Sequence, residues 1–178
     1  MNAEKNWWGT TDGGVISGNI YDNIDSGTYP KVDYIPFLNG SGGNASSGSY
    51  VYGNITVNTT LTKAESPYLM IGNVTVNEGI TLTVEPGVEV RSDGNYRITV
   101  NGGLKAPGTP GNPITFTTDN TQVAGAWQGI YFTDTSDDVN CVITYATIQY
   151  ATEGIEINKA SPTIQHTTLR NNATGLSV

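Results

Sequence analysis

Positive charge, cysteine and histidine are what this 178-residue sequence has least of. Lysine and arginine together number 8 against 16 acidic residues, for a net charge of −8. A nucleic-acid binder needs a basic footprint, and an anionic membrane surface attracts basic segments, so neither partner is expected. The single cysteine, Cys141, excludes an internal disulfide and a cysteine-based metal cluster. The single histidine, His166, leaves little material for imidazole metal sites or catalytic triads. No apolar run approaches the ~20 residues that span a bilayer, so no membrane insertion is expected. The opening Met1-Asn2-Ala3-Glu4-Lys5 also lacks the apolar stretch of a signal peptide. Either an export signal has been removed or Met1 begins an excised piece.

Charge of both signs is scarce, at 13% of residues, while 37% are apolar. Exposed faces must therefore be covered by Thr, Ser and Asn, and a chain this rich in β-branched residues is expected to form sheet. No 12-residue stretch shows apolarity at the 3.6-residue period of a helix. What is present instead is a repeat. Residues 53–62 read GNITVNTTLT and residues 72–81 read GNVTVNEGIT, an offset of 19, and Ile98-Thr99-Val100-Asn101-Gly102-Gly103-Leu104 is a looser copy. Thr147-Ile148, Gly154-Ile155 and Ile157 recur as Thr168-Leu169, Gly175-Leu176 and Val178, and Gly129-Ile130 with Phe132 is an earlier relative.

Strand candidates alternate with period two: Val74/Val76, Leu82/Val84, Val88/Val90, Ile98/Val100, Ile114/Phe116, Ile130/Phe132 and Ile155/Ile157. Each is short and bounded by Gly, Asn, Asp or Pro, residues that accept sharp corners. A lone strand of this length buries too little. Stacking equivalent strands ~4.8 Å apart pairs the backbone and lines the inward aliphatics into continuous ladders. Repeats whose spacing drifts suit such a solenoid, because extra residues bulge at the turns. A sandwich also makes short strands, but its strands do not repeat their sequence. The expected fold is all-β: a right-handed parallel β-helix over 50–178, with Val57, Val76 and Val100 in one column. It is preceded by a cap-like segment over 1–38 and a flexible Gly/Ser linker over 39–49.

The stretch from Ser66-Pro67-Tyr68 through Gly79-Ile-Thr-Leu-Thr-Val-Glu-Pro-Gly-Val88, Asn112-Pro-Ile-Thr-Phe116 and Trp127-Gln-Gly-Ile130 resembles the right-handed, pectin-lyase-like β-helix modules of bacterial and archaeal surface proteins. Asn6-Trp7-Trp8-Gly9 with Val32-Asp33-Tyr34-Ile-Pro-Phe-Leu38 resembles the segment that closes such a helix at its C-terminal end. Here that segment comes before the coils, and the chain stops at Gly175-Leu176-Ser177-Val178 inside a strand pattern. One reading is a piece of a longer tandem protein. The other is self-assembly, in which Trp7 and Trp8 of one copy meet Leu176 and Val178 of the next, head to tail, building a filament, sheath or surface layer.

The resemblance is specific for architecture and not for activity, since one fold hosts many functions. It implies, for the enzymes that share the fold, a Ca²⁺ held by grouped carboxylates or paired acid and base residues. Asp134, Asp137 and Asp138 in an outward loop, with Asp119 one coil earlier, are the best candidates for either; acids in a polar loop are ordinarily just solvated. The Asn-Thr-Asp, Gly-His-Gly and Arg-x-Lys signatures of polygalacturonase relatives are absent. Arg91, Arg97 and Lys105 read as scattered, with no carboxylate cluster opposite. Cys141 reads as a core filler and His166 as an ordinary outward residue. Six Asn-x-Ser/Thr sequons, at Asn39, Asn44, Asn54, Asn58, Asn73 and Asn172, are glycosylation candidates. The expectation is a non-enzymatic, extracellular structural or adhesive protein, without a cofactor unless calcium. Its expected partners are copies of itself, neighbouring modules or glycans. A carbohydrate-binding module or a polysaccharide lyase or hydrolase is the alternative.

Overall fold

The structure, a computed structural model, describes residues 49–178. Among them the chain forms a parallel β-solenoid of about six turns. A ten-stranded sheet and a five-stranded sheet hold all the strands, and every strand pair is parallel. The larger sheet bends around a corner inside β3 (Tyr68–Val76), so each coil presents three lanes.

The first lane stacks the start of β3 on β5 (Glu89–Ser92), β8 (Ile114–Thr118), β11 (Ala146–Gln149) and β14 (Thr168–Arg170). The second stacks the end of β1 (Ser49–Ile55) on the end of β3, then β6 (Arg97–Val100), β9 (Trp127–Phe132), β12 (Ala151–Ile157) and β15 (Thr174–Ser177). The third is β2 (Thr59–Leu61), β4 (Thr81–Val84), β7 (Gly103–Pro107), β10 (Val142–Thr144) and β13 (Thr163–Gln165).

Period-two alternation turns one side chain of each pair inward. Register then aligns like with like. Tyr68, Val90, Phe116, Ile148 and Leu169 form one column in the first lane. Val74, Ile98, Ile130, Ile155 and Leu176 form another in the second, and Ala106, Ile143 and Ile164 a third. Cys141 is fully buried beside them, its thiol pointing at the Gly102 carbonyl, and burial pushes that thiol's pKa up.

One sequence expectation is corrected. The offset of 19 places Val57 over Val76, but Val57 is 67% exposed and Ile55 takes that place. Val76 and Val100 do pair. The offset holds from Ser49 opposite Tyr68 to Val51 opposite Met70; the next pair is Gly53 with Val74. Between them β3 spends three residues where β1 spends one, and one of the three, Ile71, is buried. Filling the corner outweighs the resemblance of the two copies.

Coil spacing varies as a solenoid allows. Leu82 pairs with Leu104, Ala106 with Ile143 and Ile143 with Ile164, spacings of 22, 37 and 21 residues. The long step holds two outward loops, 119–126 and 133–141. At Gly129 the chain takes φ +106, and a Cβ would run into the Glu153 carbonyl oxygen, so the second lane needs glycine there. Asparagines latch coil to coil: the side-chain oxygens of Asn58, Asn73 and Asn172 accept the backbone N–H of Thr81, Arg97 and Ala151 at 2.9, 2.9 and 2.8 Å.

Candidate functional site

The outward face of the first lane carries the most organised polar chemistry among the described residues. Register lines up Arg91 with Thr117 and Gln149 with Arg170. Gln149 is only 9% exposed, yet it sits on the outer side of its strand. Its amide nitrogen donates to Thr117 Oγ1 at 3.2 Å, and its amide oxygen accepts from Arg170 Nε at 2.8 Å. These two partners fix the amide's orientation, since only the oxygen accepts from the guanidinium.

At the other end Arg91 is held between two carboxylates. Its Nη2 lies 2.9 Å from Glu89 and its Nη1 3.4 Å from Asp119. The hydrogen bond to Glu89 is the main reason the guanidinium pKa is raised. Loop 119–126 makes one wall, with Gln122 accepting from Tyr150 Oη at 3.3 Å. Glu89, Arg91, Thr117, Asp119, Gln122 and Gln149 are among the residues that line a cleft of about 210 Å³ whose lining has no aliphatic or aromatic side chain. Sequence reading missed it. Asp119 had been placed with the loop acids, and the partners of Arg91 come from two different coils.

The three loop aspartates expected to mark calcium or acid–base chemistry are not brought together as a ligand set. Asp137 caps the short 3-10 turn Asp138–Asn140, accepting from the Val139 and Asn140 N–H groups; bonding to Asn140 above all holds its carboxyl below the usual range. Asp138 accepts the Ser161 N–H at 2.6 Å, and Asp134 faces Lys159 at 3.8 Å. No group of three or more His, Cys, Asp or Glu fit to hold a metal occurs among the described residues.

The second lane holds a further cluster. Arg97 reaches past Gly129 to place Nη2 3.2 Å from Glu156 Oε2, an ion pair without hydrogen-bond alignment. Its guanidinium lies 5.0 Å from the centre of the Tyr131 ring, close enough for cation–π attraction. Burial first, then hydrogen bonding to Glu153, pushes the Glu156 carboxyl up, against the pull of Arg97. The expectation that Arg91 and Arg97 face no carboxylates is therefore corrected: strand register supplies partners that linear distance hides. His166 stacks on Tyr145 at the equivalent corner one coil earlier, ring centres 4.5 Å apart.

The last coil differs from those before it. Leu176 is 49% and Val178 93% exposed. Trp7 and Trp8, the other half of the expected self-assembly interface, lie outside the described residues, as do sequons Asn39 and Asn44. Asn54, Asn58 and Asn73 are exposed. Asn172 is half-buried, and its amide nitrogen also donates to the Ile148 carbonyl at 3.0 Å, so both ends of that side chain are engaged. Among the described residues no helix is long and apolar enough to cross a membrane.

Comparison with known proteins agrees with the coil geometry. A family model described as a pectate-lyase like beta helix domain matches residues 53–152. Protein bark beetle of Drosophila melanogaster is 32% identical over 126 residues, which is 63% of this chain and 4% of that protein. The chain thus spans a small part of the relative it matches. No solved structure matches it.

Proposed function

The chain belongs to the pectate-lyase-like β-helix family, and from that premise we propose that it is a structural or adhesive module of an extracellular or cell-surface protein. The observation that carries this reading is the stack of parallel strands with aligned aliphatic columns, whose loop acids are committed to structural contacts. Strands β13, β14 and β15 each pair on one side only, and their inward residues Ile164, Leu169 and Leu176 are partly exposed where Ile143, Ile148 and Ile155 above them are fully buried. A parallel edge with apolar residues behind it is a template for one more coil. The occupant that fits is another β-helix coil, from a neighbouring module or a second copy, joined head to tail. Exposed Asn54, Asn58 and Asn73 are candidate glycan carriers at such a surface.

The acids that could serve catalysis have structural partners, which supports a non-enzymatic role. Asp137 and Asp138 hold backbone N–H groups, and Glu89 and Asp119 hold Arg91. A second reading, glycan binding, is favoured by the polar cleft of the first lane.

Assembly is tested by light scattering and electron microscopy of the whole chain over a range of concentrations. Head-to-tail joining predicts a mass that grows with concentration and falls back to monomer in Leu176→Asp. A monomer at every concentration removes self-assembly.

A further inference from the structure

We propose that the first-lane cleft holds a single unit of a neutral sugar and disfavours uronic acids. The inference rests on the glycan-binding reading above and names the ligand class of that site. Three features of the cleft select it.

The first is size. About 210 Å³ is below the ~300–1,000 Å³ of sites for drug-sized ligands, and it accommodates one ring. The second is the lining, which is entirely polar. An apolar ligand or a peptide with a hydrophobic anchor finds nothing to pack against, whereas a polyol finds a partner for each hydroxyl.

The third is the arrangement of donors and acceptors. Glu89 and Asp119 each commit one oxygen to Arg91, leaving the other to accept from a ligand hydroxyl. Gln149 commits one amide hydrogen to Thr117, and Thr117 uses its oxygen to accept it. That leaves the second amide hydrogen and the Thr117 hydroxyl hydrogen as donors. Gln149 and Thr117 are both more than nine-tenths buried, so their positions are set before a ligand arrives, which lowers the entropic cost of binding. Acceptors and donors set side by side along the lane suit the neighbouring hydroxyls of a pyranose. Among the lining residues two carboxylates oppose one guanidinium, and Arg91 is already shared between them, so a ligand carboxylate entering the cleft meets net negative charge. Arg170 sits beside Gln149 one coil on, its Nε committed to the Gln149 amide oxygen, and does not itself line the cleft.

The test titrates the whole chain with methyl glycosides of glucose and galactose and with the matching glucuronide and galacturonide. Side-chain NMR signals of Gln149, Gln122 and Arg91 are followed. At least one neutral glycoside is expected to shift them at millimolar concentration, with its uronide at least about ten-fold weaker at low salt and the gap narrowing as salt rises. Glu89→Gln and Asp119→Asn are each expected to weaken the neutral ligand about ten-fold, as for loss of a charge-assisted hydrogen bond. The exposed turn variant Glu78→Gln leaves it unchanged. Gln122→Ala, in a loop, repeats the test should a strand variant unfold. Uronides binding as tightly as their neutral partners overturn the neutral-sugar inference and leave glycan binding standing. No shift with any glycoside overturns both.

Discussion

Ile148 and Leu169 occupy the same column one coil apart, as do Ile155 and Leu176. The earlier member of each pair is fully buried; the later one is not. The side chains are nearly equal in size, but the strands of Ile148 and Ile155 pair on both sides and those of Leu169 and Leu176 on one. Only the presence of a further coil differs. In this architecture burial is a property of the stack and not of the residue, since each coil contacts its neighbours alone and stability is a sum of neighbour terms.

The sharpest way to break that comparison is to truncate a column at both places. Phe116, fully buried between Val90 and Ile148, should cost about 3–5 kcal/mol as Phe116→Ala. Leu176→Ala should cost under about 1 kcal/mol, since half its surface is already wet. Urea unfolding monitored by circular dichroism gives both values, and equal losses would contradict the column account. A smaller effect sharpens the role of the latches. Asn172→Ala loses bonds to both Ala151 and Ile148 and should cost about 1–2 kcal/mol, against about half that for Asn73→Ala, which loses one. Equal costs would mean that the second bond contributes nothing.

The smallest expected effect lies on the second lane. The folded state raises the Glu156 carboxyl pKa above its ordinary 4.5, so folding binds that proton more tightly than the unfolded chain does. Its stabilisation is complete below the ordinary glutamate range and is lost as pH rises through the raised value. Glu153→Gln removes the like charge, lowers the Glu156 carboxyl and should flatten the fall in stability between pH 4.5 and neutrality by under about 1 kcal/mol. Unfolding midpoints across that range check it; an unchanged slope would show that Glu153 is not the neighbour responsible.

The columns were legible in the sequence because alternation and β-branching act over two residues. Ile98/Val100, Ile130/Phe132 and Ile155/Ile157 announced themselves as strands, and the structure places all of them in the second lane. Val57 was misread for the same reason. Its copy looks like the one ending at Val76, but the corner that holds buried Ile71 shifts the register. The cleft was not legible. Gln149 meets Thr117 and Arg91 meets Asp119 across 32 and 28 residues of chain, and the intervening loop lengths vary from coil to coil.

Period-two apolarity and corner-forming Gly, Asn and Pro by themselves determined that this chain forms short strands, and the near-repeat determined that they stack. Both are local properties, written in neighbouring residues. Which strand sits over which, which arginine meets which carboxylate and which asparagine is locked were decided only by the tertiary structure. Coil register depends on how many residues each corner and loop absorbs, and that is settled by packing the whole column at once.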